Sequence, residues 1–432
     1  MPTRLPFFYG WIIVAVTFVT MAIGVNARTA FSLFYPPILS EFGWERGVTA
    51  GAFSFGSVAS GIASPLIGRL MDRRGPRAVM ELGVLLMGSG LLLAPLTSRP
   101  WHLYLTIGVL VGAGSVCLGY SGHSLFLPNW FIRRRGLAIG LAFAGVGIGS
   151  VTLLPWVQHM IEQTGWRTAC AAMGIVVLVV LAPINLLLHR RPEDIGLQPD
   201  GDAAPTVTSA QPASNIVDPV WAGTDWTLPR ALRTARFWWI AVGYFCGSYV
   251  WYAVQVHQTK FLLDIGFSSN VGVWALGVVS LLGIPGQICL GHLSDRIGRE
   301  WVWAIACFGF VICFAALVAL KFWPIMPLVY LMVFTQGALG YGVTSVMGPV
   351  VLEIFQGKQY GSIFGTVMLA QLAGGAAGPW VTGQLYDLSG SYTVAFTVGI
   401  AVSLLSAIAI WQAAPRSVRA VAGQIHKIAN TA

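Results

Sequence analysis

Deep in the first long apolar stretch of the chain stands an arginine. Arg28 lies about 27 Å along a helix that would begin near Gly10, at roughly 1.5 Å per residue, and no other Lys or Arg falls well inside an apolar run. A guanidinium in hydrocarbon is costly, and where one is kept it is by default part of a site. Its planar donors match a carboxylate. The alternative is that the side chain reaches back to the outer interface and keeps its charge in water. Two histidines, His257 and His123, are the titratable groups left within apolar runs, because Glu81, Asp264, Glu353 and Asp387 sit near the ends. An imidazole titrates in the range a proton carrier needs. For His257, with Lys260 one turn on, an interfacial hydrogen bond is the open alternative. Asn26, Tyr252, Gln287, Gln336, Tyr341, Ser345 and Gln371 are polar groups that could meet a ligand, and each could equally be an interhelical hydrogen bond.

The composition fixes what must hold these groups. Of 432 residues 56% are hydrophobic and only 9% charged, against about 25% charged in a soluble domain. A water-soluble enzyme, a disordered chain and a fibrous repeat are excluded. Runs long enough to cross about 30 Å of hydrocarbon recur at 9–38, 48–70, 78–97, 102–130, 136–160, 167–189, 236–262, 271–292, 301–320, 325–351, 359–385 and 392–412. Helix is the form in which a lipid-facing backbone satisfies its own hydrogen bonds. The sequence therefore predicts an all-α polytopic membrane protein with twelve transmembrane helices in two pseudo-symmetric six-helix bundles. The bundles are 1–189 and 236–412, with a cytoplasmic linker at 190–235 and a cytoplasmic tail at 413–432. The linker is rich in Gly, Ala, Pro, Ser and Thr up to Asp225 and is expected to be flexible. The six cysteines all lie in apolar runs and read as small packing residues.

Basic residues set the orientation. Arg4, the connections 69–77, 133–135, 190–236 and 296–299, Lys358 and the tail hold most of the 25 Lys and Arg, whereas Arg46, Arg99, Arg167, Lys260 and Lys321 lie on the other side. Positive-inside bias places both termini in the cytoplasm. One basic connection is duplicated. Gly68-Arg-Leu-Met-Asp72-Arg-Arg-Gly75 recurs as Gly291-His-Leu-Ser-Asp295-Arg-Ile-Gly298, 223 residues on (291 − 68). A looser echo links Phe131, Gly136 and Gly140 to Phe355, Gly361 and Gly365. Glycine lets two helices approach, and an aspartate at a helix end can accept from backbone N–H groups or pair with arginine. Asp72, Arg73, Asp295, Arg296, Arg134 and Arg135 are thus expected to form a cytoplasmic gate. Parallel repeats of this kind usually place a substrate site at their interface.

The repeated Gly-x-x-x-Asp-Arg-x-Gly connection resembles the hallmark of the major facilitator superfamily, over nearly the whole chain. Asn129-Trp-Phe-Ile-Arg-Arg-Arg-Gly-Leu-Ala-Ile-Gly140 is similar to the signature opening helix five of its monocarboxylate transporter and oxalate:formate antiporter group. Phe8-Tyr9-Gly10-Trp11, and Val256-His257 with Leu263-Asp264-x-Gly266, point the same way. The resemblance implies the major facilitator fold, alternating access, small organic anions as substrates, H+ as the default coupling ion, and a carboxylate contact for Arg28. It also shows departures. The group's helix-eight arginine aligns with Gln287 and the acid one turn earlier with Gly283, and 359–385 holds no Lys or Arg in place of the antiporter's lysine. One fixed cation suits a monoanion better than oxalate.

The functional expectation is a secondary active transporter of monocarboxylates in the cell membrane, working as a monomer. Substrate would meet Arg28, Asn26, Tyr252, His257, Gln287 and Gln371, with His257 or His123 carrying the proton. Anion exchange or uniport remains open because the helix-eight acid is missing. An exporter of drugs or amphiphiles remains open because helix seven is rich in aromatic residues. Glycine clusters such as Gly145/Gly147/Gly149 read as close packing, since no strand precedes them and no Lys-Ser/Thr follows. No cofactor, metal spacing or nucleic-acid motif is expected.

Overall fold

A computed structural model describes residues 7–44, 46–201 and 215–424. Expectations that fall on Arg4, on 202–214, on 425–432 and on the side chain of Arg46 lie outside the described residues. α1 is Gly10–Phe42. The stretch Arg46–Leu93 then holds two helices, α2 at 46–74 and α3 at 76–93, because Gly75 takes φ +75° and ψ −177° between them. A residue with a Cβ is strained at that φ. Pro76 follows, its fixed φ suited to a first helical turn. Next come α4 (Pro100–Asn129), α5 (Arg135–Thr164) and α6 (Trp166–Asn185). α7 (Ala235–Asp264), α8 (Ser269–Ile297), α9 (Arg299–Leu320), α10 (Met326–Phe355), α11 (Tyr360–Ser389) and α12 (Tyr392–Ala413) complete the set. Gly298, at φ +114°, separates α8 from α9 as Gly75 separates α2 from α3.

Nine helical stretches among the described residues are long and apolar enough to cross a membrane, and one of them contains both α2 and α3. α7 and α11 have 30 residues each but are interrupted by polar side chains, Gln255, His257 and Gln258 on one, Gln371 and Gln384 on the other. Among the described residues three helices contain a π-turn: α4 at Tyr104–Val111, α6 at Val177–Leu181 and α10 at Thr335–Leu339.

The chain divides into two compact units. The first comprises Met1–Phe131, Leu141–Ala204 and Gln359–Gly365, the second Ile132–Gly140, Pro205–Lys358 and Thr366–Ala432. By contact, then, the opening turns of α11 group with the first unit and those of α5 with the second, whereas chain order keeps each with its own half. In the second unit α7, α9, α10 and α12 share a core that includes Val250, Phe261, Phe310, Phe314, Leu317, Met332 and Phe396. Five cysteines are buried and Cys289 is exposed.

The connection after α6 is less loose than its composition suggests. Where it is described from 215 onward, Ile216 pairs antiparallel with Arg419 of the tail. Trp221 donates from Nε1 to the Ile354 carbonyl (2.9 Å) and packs on Trp226, and Arg236 lies 4.1 Å above its ring. Small polar residues dominate this segment, but two tryptophans supply enough apolar area to anchor it.

Candidate functional site

Arg28 lies close to the midpoint of α1, which continues to Phe42. Its guanidinium turns onto α2 and α4. Nη1 donates to Ser60 Oγ (3.3 Å) and Ser115 Oγ (3.0 Å), Nη2 donates to Ser57 Oγ (3.0 Å), and the Phe53 ring lies 5.0 Å away. The serines are themselves held: Ser115 donates to the Gly112 carbonyl (2.7 Å), and Ser60 has the Gly56 and Gly112 carbonyls at the same distance. Their protons thus face backbone oxygens and their lone pairs face the arginine. Ser57 and Ser60 are three apart and share a face of α2. Gly56 and Gly112 let α2 and α4 close, since a Cβ on Gly112 would lie 2.7 Å from Gly56 Cα. The interfacial alternative for Arg28 is not what the structure has. Three hydroxyl oxygens orient the guanidinium.

Asn26 is not placed with it. Its Nδ2 donates to the Ala22 (2.8 Å) and Val146 (3.0 Å) carbonyls and its Oδ1 accepts from Ser150 (2.9 Å), so the amide is fully used between α1 and α5. His123 is wholly buried on α4. One ring nitrogen, Nδ1, lies 2.9 Å from the Gly119 carbonyl, which can only accept, so Nδ1 carries the proton. Nε2 is buried with no hydrogen bond among the described residues.

In the second unit His257 bridges α7 to α11 and α12. Nε2 is 2.9 Å from the Pro379 carbonyl and Nδ1 3.3 Å from the Tyr392 hydroxyl. The carbonyl fixes the proton on Nε2. The phenol can donate to bare Nδ1 or accept from it once protonated, so the ring has a partner in both charge states without moving. Tyr252, on the same helix, is 46% exposed and packs near Gly375 of α11. Gln371 is half-buried on α11. Gln287 has other neighbours: its carbonyl takes the Ser345 hydroxyl (2.8 Å) and lies against Gly140, and its side chain is buried.

The duplicated sequence element becomes a duplicated contact. Asp72 accepts from the N–H groups of Gly361 (2.9 Å) and Ser362 (2.8 Å) and from the Ser362 hydroxyl (2.9 Å), at the opening of α11. Asp295 accepts from the N–H groups of Gly136 (2.9 Å) and Leu137 (3.0 Å), at the opening of α5. The first N–H groups of a helix have no intrahelical partner and carry the positive end of its dipole, so each carboxylate completes a helix end. One turn before each aspartate a glycine brings the backbones together. A Cβ on Gly68 would lie 2.1 Å from the Gly361 oxygen, and one on Gly291 2.2 Å from the Gly136 oxygen.

The arginines of this gate are corrected by the structure. Arg73 and Arg134 are exposed, with no side-chain hydrogen bond or ion pair among the described residues, and Arg296 does not pair with Asp295. Asp72 is approached instead by Arg190, at 3.6 Å. Asp295 is paired with Arg299 at 2.6 Å, which also donates to Glu353 (2.9 Å), and Arg135 lies 3.5 Å from the same carboxylate. Two arginines and two acids thus balance in a buried cluster, the condition under which buried charge is tolerated. Burial pushes the Asp72 carboxyl above its ordinary value, and the Ser362 and Gly361 N–H groups and Arg190 offset this only in part. The serines around Arg28, Tyr392, Arg190, Arg299 and Glu353 are the residues that sequence reasoning left out of the site. Ser57 and Ser60 are the pair that helical spacing could have disclosed.

A model of the major facilitator superfamily matches residues 13–352. The chain is 27% identical over 412 residues to monocarboxylate transporter 12 of Rattus norvegicus, covering 90% of this chain and 82% of that one. It is 27% identical over 398 residues to monocarboxylate transporter 13 of Bos taurus, covering 90% and 86%. Among solved structures, a proton:xylose symporter bound to 6-bromo-6-deoxy-D-glucose superposes with TM-score 0.69 at 13% identity, covering 97% of this chain and 99% of that one. The E. coli fucose:proton symporter does so at the same score, 16% identity and coverage of 93% and 98%. With the helices, the paired aspartate caps and this match over most of its length, the chain is a multi-pass membrane transporter, not an enzyme, and belongs to the major facilitator superfamily.

Proposed function

We propose that this transporter carries small monocarboxylates by alternating access of its two six-helix halves, 1–189 and 236–412, coupled to H+, in the cell membrane with both termini cytoplasmic and as a monomer. The observation that carries the reading is Arg28, a cation near the middle of α1 whose orientation three serine hydroxyls maintain. Its fork matches a carboxylate. The similarity to transporters named for monocarboxylates supports the same class. His257 is the proposed proton site, because its two partners accept either charge state. The aspartate caps at α11 and α5 are the proposed cytoplasmic latches, broken and remade as the halves reorient.

The test is uptake of labelled monocarboxylates into proteoliposomes under an imposed pH gradient. Arg28→Gln should abolish accumulation while the protein stays monodisperse. Arg28→Lys, which keeps the charge but loses the fork, should retain weaker uptake. Uptake by Arg28→Gln at the wild-type rate would refute the assignment, and expulsion of a lipophilic cation with no carboxylate moved would establish an exporter instead.

A further inference from the structure

The tail and the connection before α7 form one structure on the second unit. Ala420 N–H donates to the Asn215 carbonyl (2.8 Å) and Val217 N–H to the Val418 carbonyl (2.9 Å), on either side of the Ile216–Arg419 pairing. Arg236 donates from Nη2 to Ser417 Oγ at 2.9 Å. Val418, Ala420 and Val421 are buried, so apolar contact helps to keep the tail in place. Gly423 permits a close approach, since a Cβ there would lie 2.4 Å from the Arg296 oxygen.

This strap supplies what two helix ends lack. The last carbonyls of a helix have no intrahelical donor and carry the negative end of its dipole. α10 stops at Phe355, and Gln356 is extended at φ −62° and ψ 132°, so no left-handed residue turns the backbone back to cap it. Instead Arg419 Nη1 donates to the Glu353 carbonyl at 2.5 Å and Trp221 Nε1 to the Ile354 carbonyl at 2.9 Å. At the end of α8, Gln424 Nε2 donates to the Ile297 carbonyl at 2.8 Å. Arg419 is only 7% exposed. A tail that merely lay on the surface would keep its arginine in water. Here it is a third cation beside the balanced cluster of Arg135, Arg299, Asp295 and Glu353, and a helix C-terminus is a place that favours such a charge.

Glu353 is the junction. Its carbonyl holds Arg419, and its carboxylate accepts from Arg299 and lies 3.5 Å from Arg135, the first residue of α5. Arg299 also donates to Asp295, whose two oxygens take the Gly136 and Leu137 N–H groups. We infer that Arg419 is a positioning residue for the second latch, and that tail and connection are a strap whose release loosens the opening of α5. The coupling stands on these contacts within the second unit. Its bearing on transport rests on the latch reading above.

The experiment is amide hydrogen exchange on the purified full chain, comparing Arg419→Met, Asp295→Asn and the double variant at peptides 135–140. Methionine keeps an apolar stem and removes both donor and charge. Arg419→Met should raise exchange there about tenfold and leave peptides 360–365 unchanged. Arg419→Lys keeps a cation able to donate to the carbonyl, and should restore protection to within about threefold of wild type. Because Arg419 acts through Asp295, the double variant should exchange no faster than Asp295→Asn alone. Effects that multiply would show independent roles and overturn the positioning assignment. Wild-type exchange at 135–140 in Arg419→Met, or lysine no better than methionine, overturns the strap and leaves the latch standing. Wild-type exchange there in Asp295→Asn overturns the latch, and the path assigned to Arg419 with it. Gln424→Leu frees the tail from α8 without touching the charged cluster and should raise exchange at 135–140 about threefold. If Arg419→Met fails to fold, this variant decides, and no rise in it overturns the strap.

Discussion

The two aspartate caps look alike in sequence but should respond very differently to the same substitution. Asp295→Asn keeps one carbonyl oxygen in place of two carboxylate oxygens. Asp295 now accepts from Gly136 N at 2.9 Å, Leu137 N at 3.0 Å and Arg299 Nη1 at 2.6 Å. The asparagine oxygen, in the place of Oδ1, can serve Gly136 N–H and Arg299, which share that atom, so the Leu137 amide loses its acceptor and the arginine loses the opposing charge. A charge-assisted hydrogen bond contributes about 1.5–3 kcal/mol, and leaving a buried charge without its partner costs about 3–5 kcal/mol. Arg299 keeps Glu353 at 2.9 Å and Ser294 at 2.5 Å, which places the loss near the low end. A weakening of about 3 kcal/mol is roughly a 100-fold rise in opening of the first turn of α5. Asp72 is less buried than Asp295, and its carboxyl already sits above its ordinary value because burial outweighs its N–H partners. A neutral group is therefore tolerated there, and Asp72→Asn should change the opening of α11 by no more than about threefold, or roughly 0.6 kcal/mol.

Amide hydrogen exchange read by mass spectrometry reports both sites in one experiment. Peptides covering 135–140 should lose about two decades of protection in Asp295→Asn, while peptides covering 360–365 are unaffected. Wild-type exchange at Gly136 and Leu137 in that variant would refute the energetic argument. So would a loss at Gly361 and Ser362 in Asp72→Asn as large as the loss that Asp295→Asn causes at α5.

The other predictions concern single contacts. Because burial raises the Asp72 carboxyl, the stability it adds is fully present below the ordinary aspartate range and is lost as pH rises through the raised value. The thermal midpoint of wild type should therefore fall relative to Asp72→Asn over that window, and a rise instead would reverse the assigned cause. Gly136→Ala would put a methyl 2.1 Å from the Gly291 oxygen, beside Ser294 Oγ, and should destabilise by about 1–3 kcal/mol, read as a lower midpoint. Gly277→Ala meets nothing within 4 Å and should leave the midpoint within about 2 °C. Tyr392→Phe removes the one His257 partner that serves both charge states, and should shift the pH profile of uptake while leaving the profile of His257→Gln unchanged. An unaltered profile in Tyr392→Phe would remove the pair from the coupling scheme.

The helices were legible because a membrane leaves the backbone one solution, and the duplicated Gly and Asp because two copies of one element announce themselves. What the sequence could not give was which arginine meets which acid. Arg73 follows Asp72 directly, but adjacent residues on a helix point about 100° apart, so Arg73 faces outward while Arg190, 118 residues away, reaches the carboxylate. Arg299 is four residues beyond Asp295, and that i,i+4 relation was available, though Gly298 interrupts the helix between them. Asn26 shared an apolar run with Arg28 and for that reason looked like its neighbour in a site. Two residues turn a helix by some 200°, and Asn26 faces α5 where Arg28 faces α2 and α4. Residues 215–235 were misread through averaging, because a composition dominated by small polar residues hides the two tryptophans that anchor it.

The spacing of glycine and aspartate within the repeat has a physical explanation. Gly68 and Asp72, like Gly291 and Asp295, are four apart and so share one face of their helix. The glycine admits the backbone of the arriving helix opening, and the aspartate one turn on reaches the amides thus brought within range. Neither works alone. Without the glycine the amides stay out of reach, and without the carboxylate the approach would strand helix N–H groups away from water. Such a contact is also easy to undo. When it parts, the carboxylate and the N–H groups both exchange protein partners for water, and the net value of each hydrogen bond to a charged group is only about 1.5–3 kcal/mol. An apolar face of the same extent would resist separation in proportion to its area, at about 25 cal/mol per Å². A polar contact built on helix openings is therefore specific when closed and cheap to open, which suits the latch role proposed for it. Asp72, whose burial already disfavours its charge, is the weaker of the two and the one expected to release first.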